Sequence, residues 1–275
     1  MARSDRMQKS AEPTAVRGFV PPQNDAERFL MRHVEDMIQL VQKRGIARYS
    51  DFLSDREQLL AKAAIPKGAD VVVRFEGGMP DAERKILCLE PHGFEPSLPV
   101  ACVCITAKLT AGAKAPQHKD YLGSLMGLSF ERACLGDIVI SGEREETAYL
   151  FVLESVLPIV LQELTSIGRV SVRTQELPLD QLPVLGQTAR TVQSTTVSSL
   201  RLDAVLAAMV RCSRGMAAEY IAAGRVEINH LPANSAHASV YAQDIFTVRG
   251  KGRFQLVSLQ GKSKKDRFII EYFQF

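Results

Sequence analysis

Seven cations crowd one stretch of the chain: Arg201, Arg211, Arg214, Arg225, Arg249, Lys251 and Arg253. A guanidinium offers a planar fork of donors that matches phosphate oxygens, and an ammonium adds a compact charge, so this set suits phosphate binding. Lys251 lies between Gly250 and Gly252. Two glycines there permit positive φ, so a tight turn can project Arg249, Lys251 and Arg253. The other four arginines are expected at helix ends and in a short helix–helix connection, where free N–H groups and positive dipole ends reinforce an anion site. From 201 to 275 there are eleven Lys and Arg against six Asp and Glu, a net of +5, while the whole chain carries +3. A basic C-terminal part on a near-neutral body is the pattern of a local polyanion surface, and RNA is the expected polyanion.

The elements that must position these cations are short. Ser199 is expected to cap a helix beginning near Leu200, with Leu202, Val205, Leu206 and Met209 as its buried face. Ser213 caps a second helix, whose facing stripe is Met216, Ala217, Tyr220 and Ile221, and Gly224 ends it. Arg225 to Asn229 alternates as a strand, Asp244–Arg249 and Phe254–Leu259 pair around Gly250 to Gly252, and Phe268–Phe273 is the last strand. The cluster Lys262, Lys264, Lys265 and Arg267 reads as a solvated hairpin tip.

Upstream, residues 1–23 read as a flexible arm and 24–95 as a helical and hairpin region. Asn24-Asp25-Ala26-Glu27 and Ser54-Asp55-Arg56-Glu57 are capping boxes. The first opens a helix whose stripe is Phe29, Leu30, Val34, Met37, Ile38 and Val41. Residues 96–180 give the order β-α-β-β-α-β, a ferredoxin-like arrangement also used by RNA-recognition sheets. Tyr149 and Phe151 share one strand face there, as a base-stacking platform or as core, with core the expectation. The acidic loop of Glu143, Glu145 and Glu146 beside them disfavours a phosphate. Gly123 and Gly127 weaken a helix of this region by about 1 kcal/mol each, which suggests close backbone packing. Residues 181–199 are a linker or an extended strand, and 200–275 form the basic domain. The fold class is therefore α+β: a helical N-terminal segment, a ferredoxin-like middle domain and a C-terminal RNA-binding domain.

Other classes find less support. No apolar run approaches the ~18 residues of a membrane span, and the first residues carry no apolar signal core, so the expected location is cytoplasmic. Cys88, Cys102, Cys104, Cys134 and Cys212 are odd in number and lack a CxxC pair, so buried reduced thiols are expected rather than disulfides or zinc. No histidine belongs to a ligand motif, and the only GxG is the basic turn, so no metal and no cofactor are expected.

The segments RLD at 201–203, SR at 213–214, GRVEIN at 224–229 and DIFTVRGKGRF at 244–254 resemble the S-four domain, an RNA-binding module named after a small-subunit ribosomal protein. Where that family commonly has Asn-Gly and Gly-Asp, this chain has Asn229-His230 and Gln243-Asp244. With FLSDRE at 52–57, HKDYLGSLMGLSFERACLGDIVI at 118–140 and LTSIGRVSV at 164–172, most of the chain beyond about residue 20 resembles the YlmH-type S-four proteins. That resemblance implies a non-catalytic RNA-binding protein whose partners are ribosomal RNA, tRNA and the large ribosomal subunit, and a monomer is expected. It also implies a role in ribosome-associated quality control, holding peptidyl-tRNA while stalled chains are tailed. Two other readings stay open: an RNA-modifying enzyme that uses the S-four domain for targeting, and a cell-division-linked interaction protein.

Overall fold

The computed structural model of the chain describes residues 19–109, 114–141, 146–185, 191–263 and 265–275. Most of the expected N-terminal arm, the glutamates at 143 and 145, Lys264 and part of the expected linker lie outside these residues. The protein is a mixed α+β chain that divides into two compact units, Pro21–Thr188 and a second containing Ala189–Phe275.

In the first unit, helix α1 (Asp25–Arg44) begins where the Asn24 side chain accepts the Glu27 amide and stops at left-handed Gly45. Val34, Met37, Ile38 and Val41 are buried, but Phe29 is 65% exposed and stacks on His33. At about 100° per residue, Phe29 lies on the far side of the helix from Val34 and Ile38, so it does not belong to the stripe as expected. After β1 (Arg48–Tyr49), the full Ser54–Glu57 capping box opens α2 (Asp55–Ala64). Arg56 of α2 reaches Glu27 of α1 at 2.8 Å with both side chains largely buried. That hydrogen bond holds the Glu27 carboxyl below its ordinary range, against the opposing pull of burial. Strands β2 (Val72–Glu76) and β3 (Ile86–Glu90) form a hairpin, and the sheet order is β1-β3-β2.

The same unit continues through β4 (Val100–Ala107), α3 (His118–Met126), β5 (Leu135–Ile140), β6 (Thr147–Leu153), α4 (Leu157–Glu163), β7 (Ser166–Ile167) and β8 (Val170–Leu177). These strands form an antiparallel sheet in the order β5-β6-β4-β8-β7. Side chains alternate across its two faces. On one, Val103, Ile105, Ala148 and Leu150 pack with Tyr121 and Leu125 of α3 and Val160 of α4. On the other, Cys102 and Phe151 pack with Phe52, Ile86 and Cys88 from the preceding region. Residues 24–95 and 96–180, separate in the sequence reading, therefore share one core.

Two glycines make room for that core. A Cβ on Gly136 would stand 2.6 Å from the Phe52 ring, and one on Gly78 would stand 2.7 Å from the Phe151 ring. Asp137 then fastens the seam, accepting the amides of Glu83 at 2.6 Å and Arg84 at 3.1 Å. The Arg84 guanidinium donates across it to the carbonyls of Leu135 and Phe52, each at 2.7 Å. Burial pushes the Asp137 carboxyl up, outweighing those two amides and Arg84.

Gly123 and Gly127 do not provide the expected close packing. Gly123 sits on an exposed face of α3 with nothing within 4 Å of a Cβ placed there, and Gly127 is the residue that ends the helix. Burial pushes the Cys88 and Cys102 thiols up to about 12, as suits core residues, and no metal-binding cluster occurs among the described residues. Beyond β8, Leu179, Leu182 and Leu185 pack on the Phe151 cluster, so the expected linker begins as part of this core.

The second unit starts with β9 (Gln193–Val197), followed by α5 (Leu202–Val210), α6 (Arg214–Ala222), β10 (Val226–Ile228), β11 (Leu231–Pro232), β12 (Ile245–Val248), β13 (Gly252–Lys262) and β14 (Phe268–Gln274). Its six-stranded sheet has the order β11-β10-β12-β13-β14-β9. Residues 193–197 of the expected linker or extended strand thus pair with the last strand of this unit. Leu202, Val205, Leu206 and Met209 pack on Phe246, Phe254, Leu256 and Ile270. On α6, Ala217 and Ile221 are buried, while Met216, expected in that stripe, is 44% exposed. Among the described residues no helix is long and apolar enough to cross a membrane.

Candidate nucleic-acid interface

Helix α5 begins at Arg201, not at a Ser199 cap, and the Ser199 hydroxyl is buried without a hydrogen-bond partner. The first-turn amides are satisfied differently. Leu202 N donates to Ala238 O at 2.9 Å and Asp203 N donates to Ala236 O at 3.0 Å. The loop 235–239 therefore closes this helix start, and the free N–H groups expected there are already used. At α6, the Ser213 side chain does accept the Met216 amide.

What the start of α5 offers is a carboxylate. Asp203 is 5% exposed and takes two guanidiniums. Arg201 binds it through Nε at 3.2 Å and Nη2 at 2.9 Å, and Arg214 binds Oδ2 at 2.9 Å. Burial alone would raise the Asp203 carboxyl, but the hydrogen bonds and charges of Arg214 and Arg201 outweigh it and hold it below its ordinary value. The two arginine side chains remain 40% and 49% exposed. One buried negative charge thus fixes two outward-facing positive ones, with a surplus of one cation. The Asp203 side chain is the anchor of the arginines and faces them, not a phosphate.

The basic turn is built by backbone. Gly250 and Gly252 have φ of 80° and 110°, as their spacing predicts. Arg249 N donates to Arg225 O at 2.9 Å, and Arg225 Nη2 returns to Arg249 O at 2.7 Å. The Arg225 guanidinium also lies 4.6 Å over the Tyr220 ring. Arg249 and Lys251 are exposed. Lys251 stands close enough to Cys212, between α5 and α6, for its charge to oppose the upward push that burial exerts on that thiol.

Two predicted contacts point elsewhere. Arg211, left-handed at the end of α5, donates to Gln193 of β9 at 3.1 Å. Arg253 is half-buried, with its guanidinium 3.9 Å over the Phe275 ring. Structure therefore brings Arg201 and Arg214 together, joins Arg225 to the Arg249–Lys251 turn, and turns Arg211 and Arg253 toward neighbouring side chains. The second basic turn is pinned too, Lys262 to Asp266 at 2.7 Å and Arg267 to Thr196 O at 2.8 Å.

The turns that lack glycine keep a left-handed backbone. Asn229, His230 and Gln243 have φ of 50°, 66° and 69°. The Asn229 side chain compensates by donating to Asp244 at 2.8 Å and accepting the Ile245 amide at 2.8 Å. In the first unit, Phe151 is fully buried against Phe52, so it is core and not a stacking platform.

Three known proteins or domains resemble this chain. Residues 113–181 match a family model described as "Putative RNA-binding domain in YlmH". The ribosome-associated protein quality control protein P2 of Bacillus subtilis is 31% identical over 247 residues, spanning 90% of this chain and 94% of that protein. A solved structure, the cell division protein ylmH from Streptococcus pneumoniae, aligns at 19% identity over 59% of this chain and 98% of its own, with a TM-score of 0.49. The chain belongs to the YlmH family.

Proposed function

We propose that this protein is a non-catalytic RNA-binding factor of ribosome-associated quality control, contacting ribosomal RNA, tRNA or both on the large subunit. The domain match at 113–181 and the Bacillus subtilis relative support that setting. In this reading β4–β8 with α3 and α4 is a ferredoxin-like domain, and α5 to β14 is an S-four domain. The chain works in the cytoplasm as a monomer and needs no cofactor.

The observation that carries the reading is the Asp203 anchor, which holds Arg201 and Arg214 half-exposed in fixed orientation. Preorganised guanidiniums bind phosphate without ordering two long side chains first. Arg225, Arg249 and Lys251 add a second phosphate contact, and Arg211 and Arg253 contribute at its margin after releasing Gln193 and Phe275. Phosphate contacts position an RNA but do not read its sequence.

Gradient co-sedimentation with ribosomal subunits tests this. Wild-type protein is expected with the large subunit, and the Arg214→Ala/Lys251→Ala double variant largely at the top of the gradient. Equal sedimentation of the two would refute the site.

A further inference from the structure

We infer that the exposed end of the five-stranded sheet, where Lys108, Arg169 and Arg173 gather, is a second RNA-binding site that tracks the backbone of a single strand. The cover over Cys102 and Phe151 does not run the length of that face. Strand register sets Phe151, Cys102 and Leu177 in one row across β6, β4 and β8, and Thr147, Thr106 and Arg173 in another, nearer the start of β8. The first row lies in the core shared with Phe52, whereas Thr106 and Arg173 of the second are exposed. Lys108 N donates to Ser171 O at 2.9 Å, which extends the β4–β8 pairing one step past Ala107 and Val172. Side chains alternate along both strands, so Thr106, Lys108, Ser171 and Arg173 share the face opposite buried Ala107 and Val172. Arg169 stands in the β7–β8 turn, where the neighbouring Gly168 amide donates to Ser124 Oγ of α3 at 3.0 Å.

Charge identifies the occupant. Lys108, Arg169 and Arg173 are exposed, and among the described residues none of their side chains has a hydrogen bond or an ion pair. The arginines of the second unit differ, since Asp203 holds Arg201 and Arg214, and a carbonyl holds Arg225. Lys108 and Arg173 are diagonal neighbours across β4 and β8, close enough for like charges to repel unless an anion lies between them. Nearby carboxylates lie elsewhere. Glu146 is on the β6 flank of β4, Glu176 is on the helix-side face with Val103, and Asp120 accepts the Gln117 amide at the start of α3. A charged edge guards against strand pairing whatever its sign, but a group of cations alone suits a polyanion. Residues on one face of a strand recur about every 6–7 Å, so the Ser171 hydroxyl spaces Arg173 from the turn cation Arg169. Such an array holds the phosphates of a strand and leaves its bases unread. Arg169 and Arg173 also fall within the residues matched by the RNA-binding family model.

This inference rests on the RNA-binding reading but not on its cluster at Asp203, and one experiment keeps the two apart. Affinity of the full chain for a labelled oligouridylate is measured across a salt series. Each cation that neutralises a phosphate of a single strand contributes about 0.7 to the slope of log K against log salt. Lys108→Ala/Arg169→Ala/Arg173→Ala is expected to lower the slope by about 2 and to weaken binding at least about tenfold at low salt. All three positions are exposed, so its thermal melting should match wild type. Should it fail to fold, Arg173→Ala alone is expected to lower the slope by about 0.7. Arg32→Ala/Lys43→Ala/Lys67→Ala removes the same charge from other exposed positions of this unit and is expected to leave the slope unchanged. A β4–β8 variant with the wild-type slope, or a control that lowers the slope equally, would overturn the site. Wild-type binding with no salt dependence would bring down the RNA-binding reading, and this inference with it. Full binding by Arg214→Ala/Lys251→Ala alongside loss in the β4–β8 variant would remove the Asp203 cluster alone and support this site.

Discussion

Asp137 and Asp203 each hold together the ground around them, by opposite means. Asp137 lies at the seam of the first unit and accepts two backbone amides, so burial wins and its carboxyl is pushed up. Asp203 lies at the start of α5 and accepts two guanidiniums, so charge wins and its carboxyl is held down. The first arrangement closes a surface, because it ties the backbone of Glu83 and Arg84 to β5 while Arg84 donates to the Phe52 carbonyl. The second opens one, because the groups it gathers are long cations whose side chains stay 40% and 49% exposed. One face of the five-stranded sheet is therefore sealed around Phe151, while a nine-residue helix with one buried carboxylate displays two half-exposed guanidiniums.

The contrast can be broken at either end. The largest effect is expected from Phe151→Ala, which empties the sealed face and should cost about 3–5 kcal/mol in urea unfolding of the first unit. A loss under 1 kcal/mol would mean that this face is not a packed core. Asp203→Asn should cost about 1–2 kcal/mol, since its arginine partners are partly solvated, and should weaken RNA binding by freeing both side chains. A loss of stability with unchanged RNA binding would separate the anchor from the site.

Acid should distinguish the two carboxylates by sign. Asp203 has a lowered value, so its stabilisation is present above the unfolded value of about 3.9 and is lost as pH falls through its folded value. Asp137 has a raised value, so its contribution improves as pH falls through that value, before the unfolded carboxyl titrates. Hydrogen exchange on acidification should therefore show α5 and α6 losing protection before β5 and β6, and the reverse order would contradict these assignments. The smallest effect is expected from Gly123→Ala, a gain of up to about 1 kcal/mol because a methyl there meets nothing and helix propensity improves.

Local chemistry was readable from the sequence wherever neighbours in the chain decide it. The Asn24 cap, the Ser54–Glu57 box and the glycine turn at 250–252 follow from residue type and spacing, and the structure contains them. Contacts between distant segments were not readable in the same way. Nothing near Arg201 in the chain announces that Ala236 and Ala238 will take the place of a serine cap. Glycines misled in one helix and hid their purpose elsewhere. Gly123 suggested a close approach and faces open space, whereas Gly78 and Gly136, unremarked by any periodicity, are the ones pressed against rings. The Asp203 anchor was half legible. RLD and SR stood out as residues, but their spacing alone does not tell that one carboxylate joins them.

The pairing of β9 with β14 also determines how the protein can be divided. Thr195, Thr196 and Val197 sit against Ile270, Ile269 and Phe268 along the outer edge of the six-stranded sheet. A fragment starting at residue 200 would strip that strand and leave an apolar run with unpaired amides, an edge that invites intermolecular pairing and aggregation. It would also remove Gln193, the shared partner of Arg211 and Tyr272. A fragment starting at 191 keeps both, so excision of the basic domain succeeds or fails on nine residues that carry no positive charge.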